Sequence, residues 1–275
     1  MIHEKIALNV PGSEEYASVV TYCISHSEEI PISKRPLVII CPGGGYCFTS
    51  EREAEMFALK WNAYGYQALV LWYSVRPAVY PTALLELATV VKMARERAEE
   101  WDIDTDKIFV QGSSAGGHLA ASYGMFWQKD FIAQAVQATP QMLQPTGMIL
   151  NYPVITSGPY AHRESFENLL GDKYEELKDE MSLENQVSES TPPAFVWTTD
   201  EDGLVPAENS LLLALAMRKA GRPVELHMYR KGNHGLALAS ELTMDRDGNN
   251  VEPSCQSWFE LAYTWTQEII KGKTN

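Results

Sequence analysis

Residues 107–123, Lys-Ile-Phe-Val-Gln-Gly-Ser-Ser-Ala-Gly-Gly-His-Leu-Ala-Ala-Ser-Tyr, constrain the fold of this chain more than any other stretch. The apolar run 108–110 predicts a buried strand, and the small and apolar residues over 115–125 predict a closely packed helix. Between them, Gly112-Ser113-Ser114-Ala115-Gly116 has the spacing G-x-S-x-G with Ser114 at its centre. A strand that turns straight into a helix holds its central residue in strained backbone geometry. Glycines two before and two after leave room for strand and helix to approach, and the serine hydroxyl is lifted clear of the sheet. The helix N-terminus beneath it offers N–H groups to a developing negative charge. The pentapeptide alone is a weak signal, because glycine and serine are common. The flanking strand and helix strengthen it, and so do the partners such a serine needs, which follow later in the chain.

The remaining segments build the same architecture. Residues 16–23 are rich in β-branched and aromatic side chains and predict an early antiparallel strand. Residues 37–41 are continuously apolar, as expected of a strand covered on both faces. Further buried strands are predicted over 68–73, 147–152, 194–199 and 224–229, with helices over 51–64, 83–101, 208–220 and 257–270. Strands alternating with helices argue for one mostly parallel sheet with helices on both faces. Two stretches interrupt the pattern. Residues 157–190 are charged, with Phe166, Leu169 and Leu170 as apolar anchors, and are expected to form a small cap insertion over the sheet. Residues 241–253 contain Asp245, Asp247, Gly248, Asn249 and Asn250 but lack calcium-loop spacing and its final Glu, so a solvated turn is expected there.

Composition narrows the partners. With 275 residues and 45% hydrophobic content, residues 1–275 fit a single large domain. A net charge of -14 would repel nucleic acid and anionic membrane surfaces. No basic and apolar leader is evident at the N-terminus, and no apolar run approaches the roughly 20 residues that span a bilayer, so a soluble, cytoplasmic protein is expected. Cys23, Cys41, Cys47 and Cys255 lack metal-ligand spacing and read as free thiols; Cys47, just beyond a glycine-rich loop, is expected to be filler, with a place at the border of the site as its rival reading. No metal or cofactor is implied. A small-molecule ligand is the expected partner, and a homodimer is compatible with the sequence.

An acid and a histidine follow Ser114 in chain order. Asp202 stands before the turn Gly203-Leu204-Val205-Pro206, which should fix its direction, and Asp200 has a similar spacing and stays a second candidate. His234 lies between glycines after the strand at 224–229. Serine is a poor nucleophile at neutral pH, so a histidine must take its proton, and a carboxylate must hold the imidazole tautomer and stabilise the imidazolium. Pro42-Gly43-Gly44-Gly45-Tyr46, at the end of the 37–41 strand, lets backbone N–H groups come close to a ligand; a plain flexible turn is the rival reading. Of the other histidines, His118 is expected to brace the elbow from below. His227 is expected on a strand, His162 in the cap segment at the surface with contact to substrate as its rival reading, and His3 and His26 near the N-terminus.

These pieces together resemble the α/β-hydrolase superfamily along the whole chain, and look most like bacterial esterases of the hormone-sensitive-lipase and acetyl-xylan-esterase-like group. The resemblance implies an α/β-hydrolase fold, with Ser114 as nucleophile, Asp202 as orienting acid and His234 as base. It implies an oxyanion hole from the backbone N–H groups of Ala115, Gly44 and Gly45, although Pro42 stands where the commoner motif has histidine. It also implies hydrolysis of small acyl esters, acetylated sugars among them. An amidase or formamidase, or a peptidase, of the same fold uses the same residues. A catalytically silent binding protein is the rival of another class, and the short, charged cap disfavours a long-chain lipase.

Overall fold

The buried strands that flank the elbow all enter one sheet. The computed structural model describes residues 1–273. Its strands are β1 (Lys5–Ala7), β2 (Ser18–Tyr22), β3 (Arg35–Cys41), β4 (Gln67–Trp72), β5 (Ile103–Ser113), β6 (Gly147–Asn151), β7 (Ala194–Thr199) and β8 (Val224–Tyr229). They lie in the order β1-β2-β4-β3-β5-β6-β7-β8. β2 runs antiparallel to β1 and to β4, as its early position suggested, and the strands from β4 to β8 pair in parallel.

Side chains alternate between two cores because a strand has a period of two. Leu37, Ile39, Leu69, Leu71, Ile108, Val110, Met148 and Leu150 belong to one apolar cluster, whereas Val38, Ile40, Ala68, Val70, Phe109 and Ile149 belong to another. The helices are α1 (Glu55–Ala63), α2 (Thr82–Glu96), α3 (Ala115–Phe126), α4 (Asp130–Val136), α5 (Pro140–Leu143), α6 (Arg163–Leu170), α7 (Tyr174–Leu177), α8 (Glu208–Lys219) and α9 (Trp258–Lys273). α2, α3 and α8 cover the first face through Leu84, Leu87, Leu119, Leu213 and Met217, and α1 and α9 cover the second through Phe57, Trp61, Trp258 and Phe259. Apolar burial on both faces is why these strands read as continuous hydrophobic runs. The arrangement is the α/β-hydrolase fold.

Several boundaries differ from expectation. The helix predicted over 83–101 ends at Glu96, because the chain must reverse through Asp102, at φ 51°, to enter β5 at Ile103. Trp101 is nonetheless fully buried, with the Arg97 guanidinium 4.4 Å from its ring centroid. The helix predicted over 51–64 divides at Ala54 into a 3-10 turn, Glu51–Glu53, and α1. Between β6 and β7, residues 157–190 carry α6, α7 and two short 3-10 turns, and Phe166, Leu170, Met181 and Leu183 anchor them in the first core. Among the described residues, no helix is long and apolar enough to cross a membrane.

Candidate active site

The elbow has the strain its glycines anticipate. Ser114 has φ 54° and ψ -119°, a conformation that L residues rarely adopt. Hydrogen bonds hold it there: its N–H donates to the Asn151 carbonyl at 3.0 Å, and its own carbonyl accepts from the N–H groups of His118 and Val154, both at 3.0 Å. A Cβ on Gly112 would lie 2.0 Å from the Gly116 carbonyl oxygen, and one on Gly116 would lie 2.1 Å from that of Cys41. Only glycine at both positions lets β3, β5 and α3 meet this closely.

The parallel sheet brings the loops after β5, β7 and β8 to one rim, where the three residues distant in sequence converge. His234 Nε2 lies 2.7 Å from Ser114 Oγ, and His234 Nδ1 lies 2.7 Å from Asp202 Oδ2. A carboxylate can only accept, so Nδ1 carries the proton and Nε2 presents a lone pair to the serine hydroxyl. The other oxygen, Asp202 Oδ1, accepts from the N–H groups of Leu204 (3.0 Å) and Val205 (2.9 Å), so the turn after the acid does fix its direction. The Asp202 side chain is fully buried and that of His234 is 13% exposed, which shields their contact from water. Asp200 is exposed, and its N–H pairs with the Tyr229 carbonyl at the end of β7.

The glycine loop after β3 lies against the same serine. Gly44 and Gly45 have φ of +131° and +61°, and a Cβ on Gly44 would strike the Phe48 carbonyl at 2.2 Å. Gly43 donates its N–H to Glu53 Oε2 at 2.7 Å, whereas the N–H groups of Gly44, Gly45 and Ala115 take no acceptor among the described residues. Gly44, Gly45, Ser114 and His234 line one cavity of about 270 Å³, which Phe48 and Leu204 also flank.

The BD-FAE family model matches residues 27–217. The chain belongs to the BD-FAE family. It falls with the α/β-hydrolase esterases of the acetyl-xylan-esterase-like group. The BD-FAE chain is 34% identical over 223 residues to endo-1,4-beta-xylanase B of Butyrivibrio fibrisolvens, covering 78% of this chain and 34% of that protein. The chain thus spans about a third of that curated relative. Among solved structures, it is similar to an acetyl ester-xyloside bifunctional hydrolase from Caldicellulosiruptor lactoaceticus, with 33% identity and a TM-score of 0.82 over 97% of this chain and 96% of the other. It is also similar to the carboxylesterase Cest-2923 from Lactobacillus plantarum WCFS1, with 28% identity and a TM-score of 0.84 over 98% of each chain.

Three histidine and cysteine expectations need adjustment in this BD-FAE chain. His162, expected at the surface, is half-buried and lines the cavity, with Nδ1 2.8 Å from Ser165 Oγ. Burial, and then the nearby His234, lowers its pKa and favours the neutral ring. The segment 157–190 carries it there, which matches the rival reading of His162 as a cap residue facing the ligand. Cys47 lines the cavity too, which favours its rival reading as a residue bordering the site over that of filler. His118 packs behind the glycine loop as well as the elbow: its Nε2 donates to the Met181 carbonyl and its Nδ1 accepts from the Tyr46 hydroxyl, both at 2.9 Å. Complete burial pushes its pKa down to about 4.

Glu53 and Tyr152 were missed as site residues. Glu53 is 3% exposed and lines the cavity, and the Tyr152 ring lies edge-on to the His234 imidazole, with centroids 5.1 Å apart. Local sequence does not mark Glu53, because the helix breaks at Ala54 between it and the buried Phe57.

Proposed function

We propose that this BD-FAE chain is a serine carboxylesterase that hydrolyses small acyl esters, acetyl esters above all, with acetylated sugars as the natural substrate class. The observation that carries this reading is the hydrogen bonding of His234 to Ser114 on one side and to Asp202 on the other. The names of the similar proteins, an acetyl ester-xyloside hydrolase and a carboxylesterase among them, support it.

In this mechanism, His234 Nε2 takes the Ser114 proton as Oγ attacks the ester carbonyl. Asp202 holds the imidazole tautomer and stabilises the imidazolium. The oxyanion faces the N–H groups of Gly44, Gly45 and Ala115, whose value lies in being fixed in place before the charge develops. His234 then protonates the departing alcohol, leaving an acyl-Ser114, and a water activated by His234 releases the acid. A cavity of about 270 Å³ suits a short acyl group. Four free cysteines and a net charge of -14 fit a soluble enzyme of the reducing cytoplasm.

A chain-length series of chromogenic esters, run beside acetate release from acetylated xylo-oligosaccharides and matched amides, tests the reading. Turnover should peak at acetyl, fall steeply for long acyl chains, favour ester over amide and vanish in Ser114→Ala. Full retention of esterase activity in Ser114→Ala, or amide turnover exceeding ester turnover, would overturn it.

A further inference from the structure

Glu53 is a buried carboxylate that the mechanism above does not use. Its two oxygens reach in two directions: Oε2 accepts the Gly43 N–H at 2.7 Å, and Oε1 accepts the Tyr152 hydroxyl at 2.5 Å. The Tyr152 oxygen in turn accepts the N–H of Ala237, three residues beyond His234, at 3.0 Å. Burial and the neighbouring Glu53 charge raise the Tyr152 pKa, so its hydroxyl stays protonated and able to donate. Tyr152 itself sits at φ 37°, directly after β6, with its N–H on the Trp197 carbonyl at 2.6 Å. The approach of the carboxylate to the loop depends on the glycine, since a Cβ on Gly43 would lie 2.7 Å from Glu53 Oε2.

We infer that Glu53 is a positioning residue: through Gly43 on one side and Tyr152 on the other, it sets the glycine loop and the His234 loop in one fixed relation across Ser114. This rests on the carboxylesterase reading, because the Gly44 N–H serves the oxyanion and His234 serves as base only under that reading. The physical reason is local. The Gly44 N–H belongs to the Gly43–Gly44 peptide unit, whose carbonyl accepts from the Ser50 N–H at 2.9 Å, and the bond from Glu53 to the Gly43 N–H fixes the unit just before it, so together they limit how this flexible backbone can swing. The hydroxyl of Tyr152 pins Ala237 while its ring packs on the imidazole. A carboxylate suits the junction because it accepts from both neighbours at once. Leaving either donor unpaired in the buried site is unfavourable. Neither Glu53 nor Tyr152 needs to touch the substrate for this role.

The test compares Glu53→Gln, Glu53→Leu and Tyr152→Phe with the wild type, using 4-nitrophenyl acetate and normalising kcat by active-site titration with a fluorescent phosphonate. Titration separates misfolding, which lowers the fraction of active sites, from misplacement, which lowers kcat per site. Glu53→Leu removes both acceptors, and kcat per site should fall by about tenfold to a hundredfold with KM little changed. Glu53→Gln still accepts from the Gly43 N–H but offers the Tyr152 hydroxyl an N–H in place of an acceptor, so its loss should be smaller than that of Glu53→Leu without vanishing. Tyr152→Phe, which frees only the Ala237 end, should also lower kcat at unchanged KM. Wild-type kcat per site in Glu53→Leu, a loss in Glu53→Gln as large as in Glu53→Leu, or an effect confined to KM would each overturn the role. If Glu53→Leu yields no folded protein, unchanged kcat in Tyr152→Phe overturns it alone. Absence of wild-type turnover or of phosphonate labelling would instead remove the esterase reading.

Discussion

Lowering the pH should destabilise this fold through His118. In the unfolded chain, a histidine takes up a proton near pH 6.5; in the folded protein, burial against Tyr46, Ser122, Phe166 and Met181 pushes the pKa of His118 down to about 4. The unfolded state therefore binds more protons between these two values. The stability His118 permits is complete above about pH 6.5, drains as pH falls towards 4 and changes no further below that. Integrated from pH 7 to pH 5, the linkage amounts to about 2 kcal/mol. The assay is urea unfolding of the wild type and His118→Gln at both pH values. Carboxylate titrations common to the two proteins cancel in the difference, so the wild type should lose about 2 kcal/mol more than the variant. Equal losses in the two proteins would refute the reasoning. Because the ring also receives the Tyr46 hydroxyl, acid should loosen the end of the glycine loop first, seen as earlier hydrogen exchange at 43–46.

Two further predictions follow from the site. Gly112→Ala places a methyl 2.0 Å from the Gly116 carbonyl, where no flexible side chain can yield, and should destabilise the fold by roughly 3 kcal/mol; a wild-type urea midpoint would contradict this. Asp202→Asn should lower kcat by about 10³- to 10⁴-fold because the imidazole loses its tautomer, while Asp200→Asn, altered at an exposed loop carboxylate, leaves kcat unchanged; steady-state kinetics on the pair checks both.

Much of this architecture was legible because local rules and tertiary packing agree. β7 occupies the predicted 194–199 as a fully buried run, whereas β8 occupies the predicted 224–229 but is only half-buried, because it lies at the edge of the sheet and its Glu225 and His227 interrupt the apolar residues. The elbow was readable because its glycines answer a steric demand visible in five residues. β1 escaped notice because three residues with an exposed, intermediate, exposed pattern carry no strand signal of their own. α4 and α5 were missed for the same reason, being short and buried only through Ile132, Val136 and Leu143. At the site, Ser114, Asp202 and His234 were named from their loops, and Asp202 was preferred to Asp200 on the turn that follows it. Glu53 escaped because its placement depends on a contact with Tyr152, 99 residues away in sequence.

The central claim is that Ser114 attacks and becomes acylated, and intact-protein mass spectrometry with peptide mapping tests it directly. Treated with a fluorophosphonate at neutral pH, the wild type should gain a single adduct on the peptide containing Ser114, in step with loss of esterase activity, and His234→Ala should label far more slowly. An adduct on another residue accompanying that inactivation, or full activity in a chain whose Ser114 is quantitatively modified, would contradict the account.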